Sequence, residues 1–235
     1  MSAVAPRLTE LAQRWHLDER QRAALARALE FLGTDPLAST AVAAAAAVDV
    51  HLADSLSALA LDPVAQARVV ADLGSGAGFP GVALAVALPH AHVALVESAA
   101  RKCEFLRRLC ATAGVPNAGV VHARAEDWPA GLGKHDLVTA RALAPLAVLC
   151  EYAAPLLALG GALVAWKGAV SRAESDGAAT AAAELGLSAG EVVRTEPYPG
   201  SVAHHLHVYR KVAQTPPGYP RRAGMARKRP IGGVR

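Results

Sequence analysis

Apolar positions in the first third of the chain recur at helical spacing. Leu8, Leu11 and Trp15 fall at i, i+3 and i+7, and Leu25, Leu29 and Leu32 follow Asp18, a residue suited to capping. Two amphipathic helices are therefore predicted before Gly33. An alanine-rich run comes next, then DVHLADSLSALALD (49–62), a helical pattern predicted to end at Asp62-Pro63, since the residue ahead of a proline is pushed out of the helical region. From Val69 the period changes. Short β-type runs at 69–73, 92–96, 118–122, 137–140, 162–166, 191–195 and 205–209 alternate with helical segments that include 80–88, 99–113 and 146–157. Strand, helix, strand at this spacing predicts an α/β fold with a largely parallel, doubly wound sheet covered on both faces. The last two strands are joined only by EPYPGSVA (196–203), too short for a crossover helix, so they are expected to pair as an antiparallel hairpin.

Composition narrows the core. Apolar residues make up 53% of the 235 positions and aromatics only 4%, so Leu, Val and Ala must fill one main domain in which helices pack closely on the sheet. The uncharged stretch 36–48 is too short and too rich in alanine to span a bilayer, and the first fifteen residues lack the apolar block of a secretory signal. A cytoplasmic protein without membrane association is expected. Cys103, Cys110 and Cys150 form no CxxC pair and are read as core thiols in a reducing compartment, and no metal site is expected.

The formal charge of +4 hides an asymmetry. Eight Lys/Arg and no Asp/Glu lie from Arg210 to Arg235, leaving sixteen basic against twenty acidic groups in the preceding 209 residues. A basic arm on a mildly acidic body suits a polyanionic partner. Composition alone leaves that reading open beside a solubilising end.

The candidate chemistry begins at DLGSGAGFPG (72–81), directly after an apolar run. In an open α/β sheet the ligand site forms beyond the carboxyl ends of the strands. Gly74, Gly76 and Gly78 fall there, and the helix expected from Pro80 points free amides back at the pocket. GxGxG preceded by Asp72, with no P-loop lysine and Ser/Thr pair, argues against nucleoside triphosphates and leaves dinucleotides or S-adenosylmethionine. Glu97, at the end of the second strand, is placed to accept both hydroxyls of an adenosine ribose. Ala125, Glu126 and Asp127 end the third strand, where a small residue followed by a carboxylate admits an adenine ring and accepts from its amino group. Arg141 ends the fourth strand and suits a carboxylate or phosphate; Asp136 and Glu151 are its structural alternatives as partners.

Together HLADSL (51–56), VADLGSGAGFPGVALA (70–85), VALVES (93–98) with RKCEFLR (101–107), HARAEDW (122–128), VTARALAPL (138–146), LVAWKG (163–168) and YPRRAGMARKRP (219–230) resemble one family, the bacterial small-subunit ribosomal RNA guanine N7-methyltransferases, also known as glucose-inhibited division protein B. The resemblance runs from about residue 50 onward. It implies a class I S-adenosylmethionine methyltransferase: a Rossmann-like, seven-stranded, mostly parallel sheet with an antiparallel C-terminal hairpin and an N-terminal helical extension. The expected organisation is a helical cap at 1–62, a catalytic domain at 63–212 and a basic tail at 213–235. The implied substrate is one guanine in the loop around position 527 of 16S rRNA, free or in the small ribosomal subunit, and the enzyme is expected to act as a monomer. Cofactor contacts carry over to Gly74, Gly76, Gly78 and Phe79, to Glu97, to Ala125 and Glu126, and to Arg141. His51 and Asp54 match the helix that follows the cap and are expected to line the cleft. The stretch LASTAVAAAAAV (37–48) departs from the family's more polar, asparagine-rich segment.

Guanine N7 carries an in-plane lone pair and no proton, so no general base is expected. His204, His205 and His207 lie on a predicted strand with no acid spaced to partner them, and no catalytic triad is anticipated. Lys167 and Arg141 are candidates for positioning substrate. Arg221, Arg222, Arg227, Lys228 and Arg229 are candidates for neutralising RNA phosphates. The competing readings are a small-molecule methyltransferase and a non-catalytic ribosome-binding module of the same fold.

Overall fold

The computed structural model describes residues 4–38, 40, 42–43 and 46–233. Positions 39, 41, 44 and 45 of the departing alanine-rich stretch lie outside the described residues. Seven strands form one sheet: β1 (Val69–Leu73), β2 (His92–Glu97), β3 (Ala118–His122), β4 (His135–Arg141), β5 (Leu157–Lys167), β6 (Glu191–Thr195) and β7 (His204–Arg210), in the order β3-β2-β1-β4-β5-β7-β6. The first five run parallel, and β7 pairs antiparallel with both β5 and β6, as the short link predicted. The order reverses between β1 and β4, which opens a crevice beyond the carboxyl end of β1.

Alternation along the strands divides the interior in two. Val70, Val93, Leu137 and Val164 face a layer made by α1 (Val4–Arg14), α2 (Glu19–Thr34), α5 (Gly81–Ala87) and α6 (Ala100–Ala113). Ala71, Val138, Leu163 and Ala165 face α7 (Leu146–Ala153), α8 (Arg172–Glu184) and α9 (Met225–Lys228). The N-terminal helices thus share a core with the sheet: Leu8, Leu11, Leu25 and Leu32 are all buried. Asp18 does cap α2, in a reciprocal box in which its carboxylate accepts from the Gln21 N–H and the Gln21 side chain accepts from the Asp18 N–H, each at 2.8 Å. All three cysteines are buried. Among the described residues no helix is long and apolar enough to cross a membrane.

Two helix boundaries differ from expectation. The helical run that starts at Val48 is irregular: a π-helical turn (Val48–Ala53), the short α3 (Asp54–Leu56) and a 3-10 turn (Ser57–Ala60). It stops before Asp62, and Pro63 instead opens α4 (Asp62–Ala65), in a first turn where its missing N–H costs nothing. The predicted helix 146–157 ends at Ala153, because Pro155 follows closely and β5 takes over at Leu157.

α7 is buried along its whole length, and Glu151 is its one ionisable carboxyl group, 1% exposed. Arg221, from the basic tail, answers it with a bidentate pair and also donates to the Arg229 carbonyl. Tyr219 adds a bond to Glu184, and Ala226 and Ile231 bury their side chains, so the tail is docked as a strap along α7 and α8. Replacing Arg221 with alanine would strand a buried carboxylate. The expected loss is about 2–4 kcal/mol, below the figure for a fully buried pair because Arg221 keeps part of its side chain in solvent. Urea unfolding of Arg221→Ala against wild type measures it, and Arg221→Lys should recover only part of the loss.

Candidate functional site

The turn from β1 into α5 is hung by three amides from two acceptors. Gly74 N–H and Ser75 N–H donate to the Val96 carbonyl at 2.8 and 3.2 Å, and Gly76 N–H donates to Glu97 Oε2 at 3.2 Å. Gly74 has φ +66°, and a Cβ there would stand 2.6 Å from Leu143 Cδ1, so only glycine lets the β4–α7 loop close over this turn. Gly78, at φ +96°, has a different duty. Its missing Cβ would strike Leu109 Cδ2 at 2.7 Å, so it makes room for α6 and does not face the crevice. Phe79 is buried and stacks on His51, ring centroids 5.0 Å apart, which puts it on the side of the N-terminal helices.

A crevice of 450 Å³ opens over the carboxyl ends of β1, β2 and β4. Gly74, Glu97, Ala125 and Glu126, each expected from the sequence to contact a cofactor, line it together with Ala142 and Tyr152. Glu97 is held rigidly: Oε1 accepts from Ser98 N–H and Ala99 N–H at 2.7 and 2.9 Å, and Oε2 from Gly76 N–H. A carboxylate has about four acceptor positions, so one on Oε2 stays available to a ligand hydroxyl. Glu126 Oε1 accepts from Gly224 N–H at 2.9 Å, and Arg227 also lines the crevice while donating to the Leu143 carbonyl at 2.7 Å. The strap therefore supplies one wall. Burial and the Glu126 carboxylate push the Tyr152 phenol up, which keeps it neutral and able to donate.

Arg141 lies outside the lining of this crevice. Its Nη1 donates to the Val50 carbonyl at 2.9 Å and to Asp54 Oδ2 at 3.0 Å, and its Nη2 lies 3.3 Å from His51 Nδ1. Neither anticipated structural partner is used: Asp136 accepts from the Arg68 and Val69 N–H groups, and Glu151 is held by Arg221. His51 is buried, and its imidazole is pushed down to about 4 by burial and the Arg141 guanidinium, so it is neutral at pH 7. The expectation that no acid partners the β7 histidines is corrected here. His204 Nδ1 is 3.1 Å from Asp54 Oδ1, a pairing across 150 residues that local spacing cannot reveal.

The tail cations separate by location. Arg221 is committed to Glu151 and Arg227 to the crevice, whereas Arg222, Lys228 and Arg229 line a surface cavity of 510 Å³ beside Met225. Lys167 is bound to Glu174 at 2.7 Å. Tyr152, Ala142 and the crevice role of Arg227 escaped the sequence reading; the aromatic residue on an otherwise aliphatic helix was the one available signal.

Residues 39–197 match the model of the GidB family, described as rRNA small subunit methyltransferase G. The chain is 40% identical over 185 residues to the ribosomal RNA small subunit methyltransferase G of Pelotomaculum thermopropionicum, covering 77% of each chain. It is likewise 40% identical over 189 residues to that of Rubrobacter xylanophilus, covering 78% of this chain and 72% of the relative. Among solved structures, cofactor-bound Rv0187 from MTB is similar with a TM-score of 0.54 and 26% identity over 80% of this chain and 89% of the other. The 16S rRNA (adenine(1408)-N(1))-methyltransferase from Catenulisporales acidiphilia shares the fold at a TM-score of 0.50 and 21% identity, over 66% and 89%.

Beneath the crevice, Asp72 is fully buried in β1. Its Oδ1 accepts from the Thr139 hydroxyl at 2.8 Å and its Oδ2 from Gly81 N–H at 3.2 Å. Burial pushes its carboxyl up to about 6 despite these bonds. With the folded value above the unfolded one, the native state binds the extra proton between about pH 4 and pH 6, and stability falls as pH rises through that window. Urea unfolding of wild type and Asp72→Asn from pH 4 to pH 7 should show that slope in wild type and a flatter one in the variant.

Proposed function

This chain belongs to the rRNA small subunit methyltransferase G family, and from that premise we propose that it methylates N7 of a guanine in 16S ribosomal RNA with S-adenosylmethionine as donor. The observation that carries the reading is the crevice at the β1–β4 switch, with a side-chain-free turn at Gly74 and a fixed Glu97 carboxylate that still has an acceptor to offer. These residues fit the donor. Glu97 would take the ribose hydroxyls, Ala125 and Glu126 the adenine end, and the bare backbone at Gly74 allows close approach. When bound, S-adenosylmethionine supplies a methyl group made electrophilic by its sulfonium.

What the chain must do is limited by the chemistry of the acceptor. N7 attacks with a lone pair and carries no proton, so no side chain need act as a base. Aligned reactants alone account for about 7–11 kcal/mol of barrier lowering, which places the burden on orientation. N7 lies in the deep groove of A-form RNA, out of reach of side chains, so the target guanine is an unpaired one. Arg222, Lys228 and Arg229, which have no acidic partner among the described residues, form the phosphate-contacting surface. Lys167, neutralised by Glu174, contributes less to it. In this reading residues 63–212 are the catalytic unit, 1–62 a helical cap and 213–235 a basic strap, and the enzyme works as a cytoplasmic monomer.

Labelled methyl transfer to purified small ribosomal subunits, with the modified base mapped by mass spectrometry, is the direct test; absence of label on any ribosomal particle at low salt overturns the proposal. Glu97→Ala should weaken donor binding about 10- to 100-fold by calorimetry, the effect of losing a hydrogen bond to a charged group. Replacing Arg222, Lys228 and Arg229 together by alanine should leave donor affinity intact and lower the slope of log affinity for RNA against log salt by about 2.

A further inference from the structure

Two departures from regular backbone meet at one polar cluster. The π-helical turn Val48–Ala53 carries His51 and delivers Asp54 at its end, and Ala142, directly after Arg141, has φ +54°. π-turns and left-handed non-glycine residues concentrate at working sites, because the surrounding structure must hold them against their preference. Between them, Asp54 joins four elements. Its Oδ2 accepts from Arg141 on β4, its Oδ1 faces His204 Nδ1 on β7, and its backbone carbonyl accepts from Trp166 Nε1 on β5 at 2.9 Å.

The proton positions follow from the partners. A carboxylate offers no hydrogen, so His204 donates to Asp54 from Nδ1, and its Nε2 accepts from the Tyr198 hydroxyl at 3.3 Å. Arg141 donates to His51 Nδ1, so His51 carries its proton on Nε2 and donates to Thr40 Oγ1 at 3.1 Å. The Arg141 Nε–H has no partner among the described residues, and the guanidinium is fixed by bonds on its other side. The site also lies where an acceptor must approach. β7 is antiparallel, so His204 stands level with the carboxyl ends of β4 and β5, and Arg141 is one residue from Ala142 on the crevice wall.

We propose that Asp54 and His204 are positioning residues for methyl transfer: His204 orients the Asp54 carboxylate, which holds the Arg141 guanidinium at the crevice edge with its remaining N–H groups turned to the substrate. This rests on the methyltransferase reading above and adds to it two residues that act through a third.

The test compares three replacements of His204 in methyl transfer to small ribosomal subunits, with binding of S-adenosylhomocysteine followed in parallel by calorimetry. Asparagine keeps an N–H near the place of Nδ1; glutamine puts its amide near Nε2 and loses the Asp54 partner; alanine loses both. His204→Ala and His204→Gln should lower kcat about tenfold or more with product affinity within about twofold of wild type, and His204→Asn should return kcat to within about threefold. Wild-type turnover in His204→Ala, or equal loss in the asparagine and glutamine variants, overturns the proposal, and so does a loss of product affinity that matches the loss of rate. Should the alanine variant fail to fold, the near-isosteric asparagine and glutamine pair still decides. A wild-type enzyme that labels no ribosomal particle sinks the parent reading instead, which separates the two failures.

Discussion

The buried carboxylate of Asp72 is the constraint on which the crevice depends. A buried carboxylate is tolerated only where donors converge on it, and here they come from β4, through Thr139, and from the first amide of α5, through Gly81. A Cβ at Gly81 would stand 2.7 Å from Asp72 Oδ2 and 2.4 Å from Leu95 Cδ2, so helix and strand meet only because that position is bare. Once the two ends of the turn are pinned, Ser75 and Gly76 must bridge them. Val96 and Glu97 at the end of β2 then receive the amides that the bend exposes. Strand order, turn shape and ligand acceptor are one linked arrangement.

This linkage explains what could be read in advance. β1 was legible because a strand covered on both faces is a dense apolar run, and β3 and β6, the half-exposed edge strands, were legible from short β-branched runs bounded by turn residues. Gly74, Glu97, Ala125 and Glu126 were legible because each sits at a strand end, a place that topology fixes without any knowledge of side-chain partners. Arg141 was placed correctly on its strand and given the wrong company. Its partners come from a helical segment some 90 residues earlier, whose π-turn has no signature in hydrophobic period. Gly78 and Phe79 show a related limit: a motif identifies a loop, but which side each residue faces depends on α6 and His51.

The basic tail was the least legible part, since charge composition speaks of partners in solution and says nothing of a partner within the fold. α7 held the missing clue. A helix reading LAVLCEYA, buried all round, needs a cation for Glu151, and only the folded chain shows that Arg221 provides it. The other cations between residues 222 and 229 are sorted by that anchor into one that reaches the crevice and three that face outward.

The wall formed by Gly224 and Arg227 arrives from more than eighty residues beyond β4, after every strand of the sheet has been laid down. Without the docked strap the crevice would lack the wall that Gly224 and Arg227 supply. A ligand that touches this wall is coupled to the docking of the strap: whatever fastens the strap raises affinity, and whatever binds against it fastens the strap by the same factor in return.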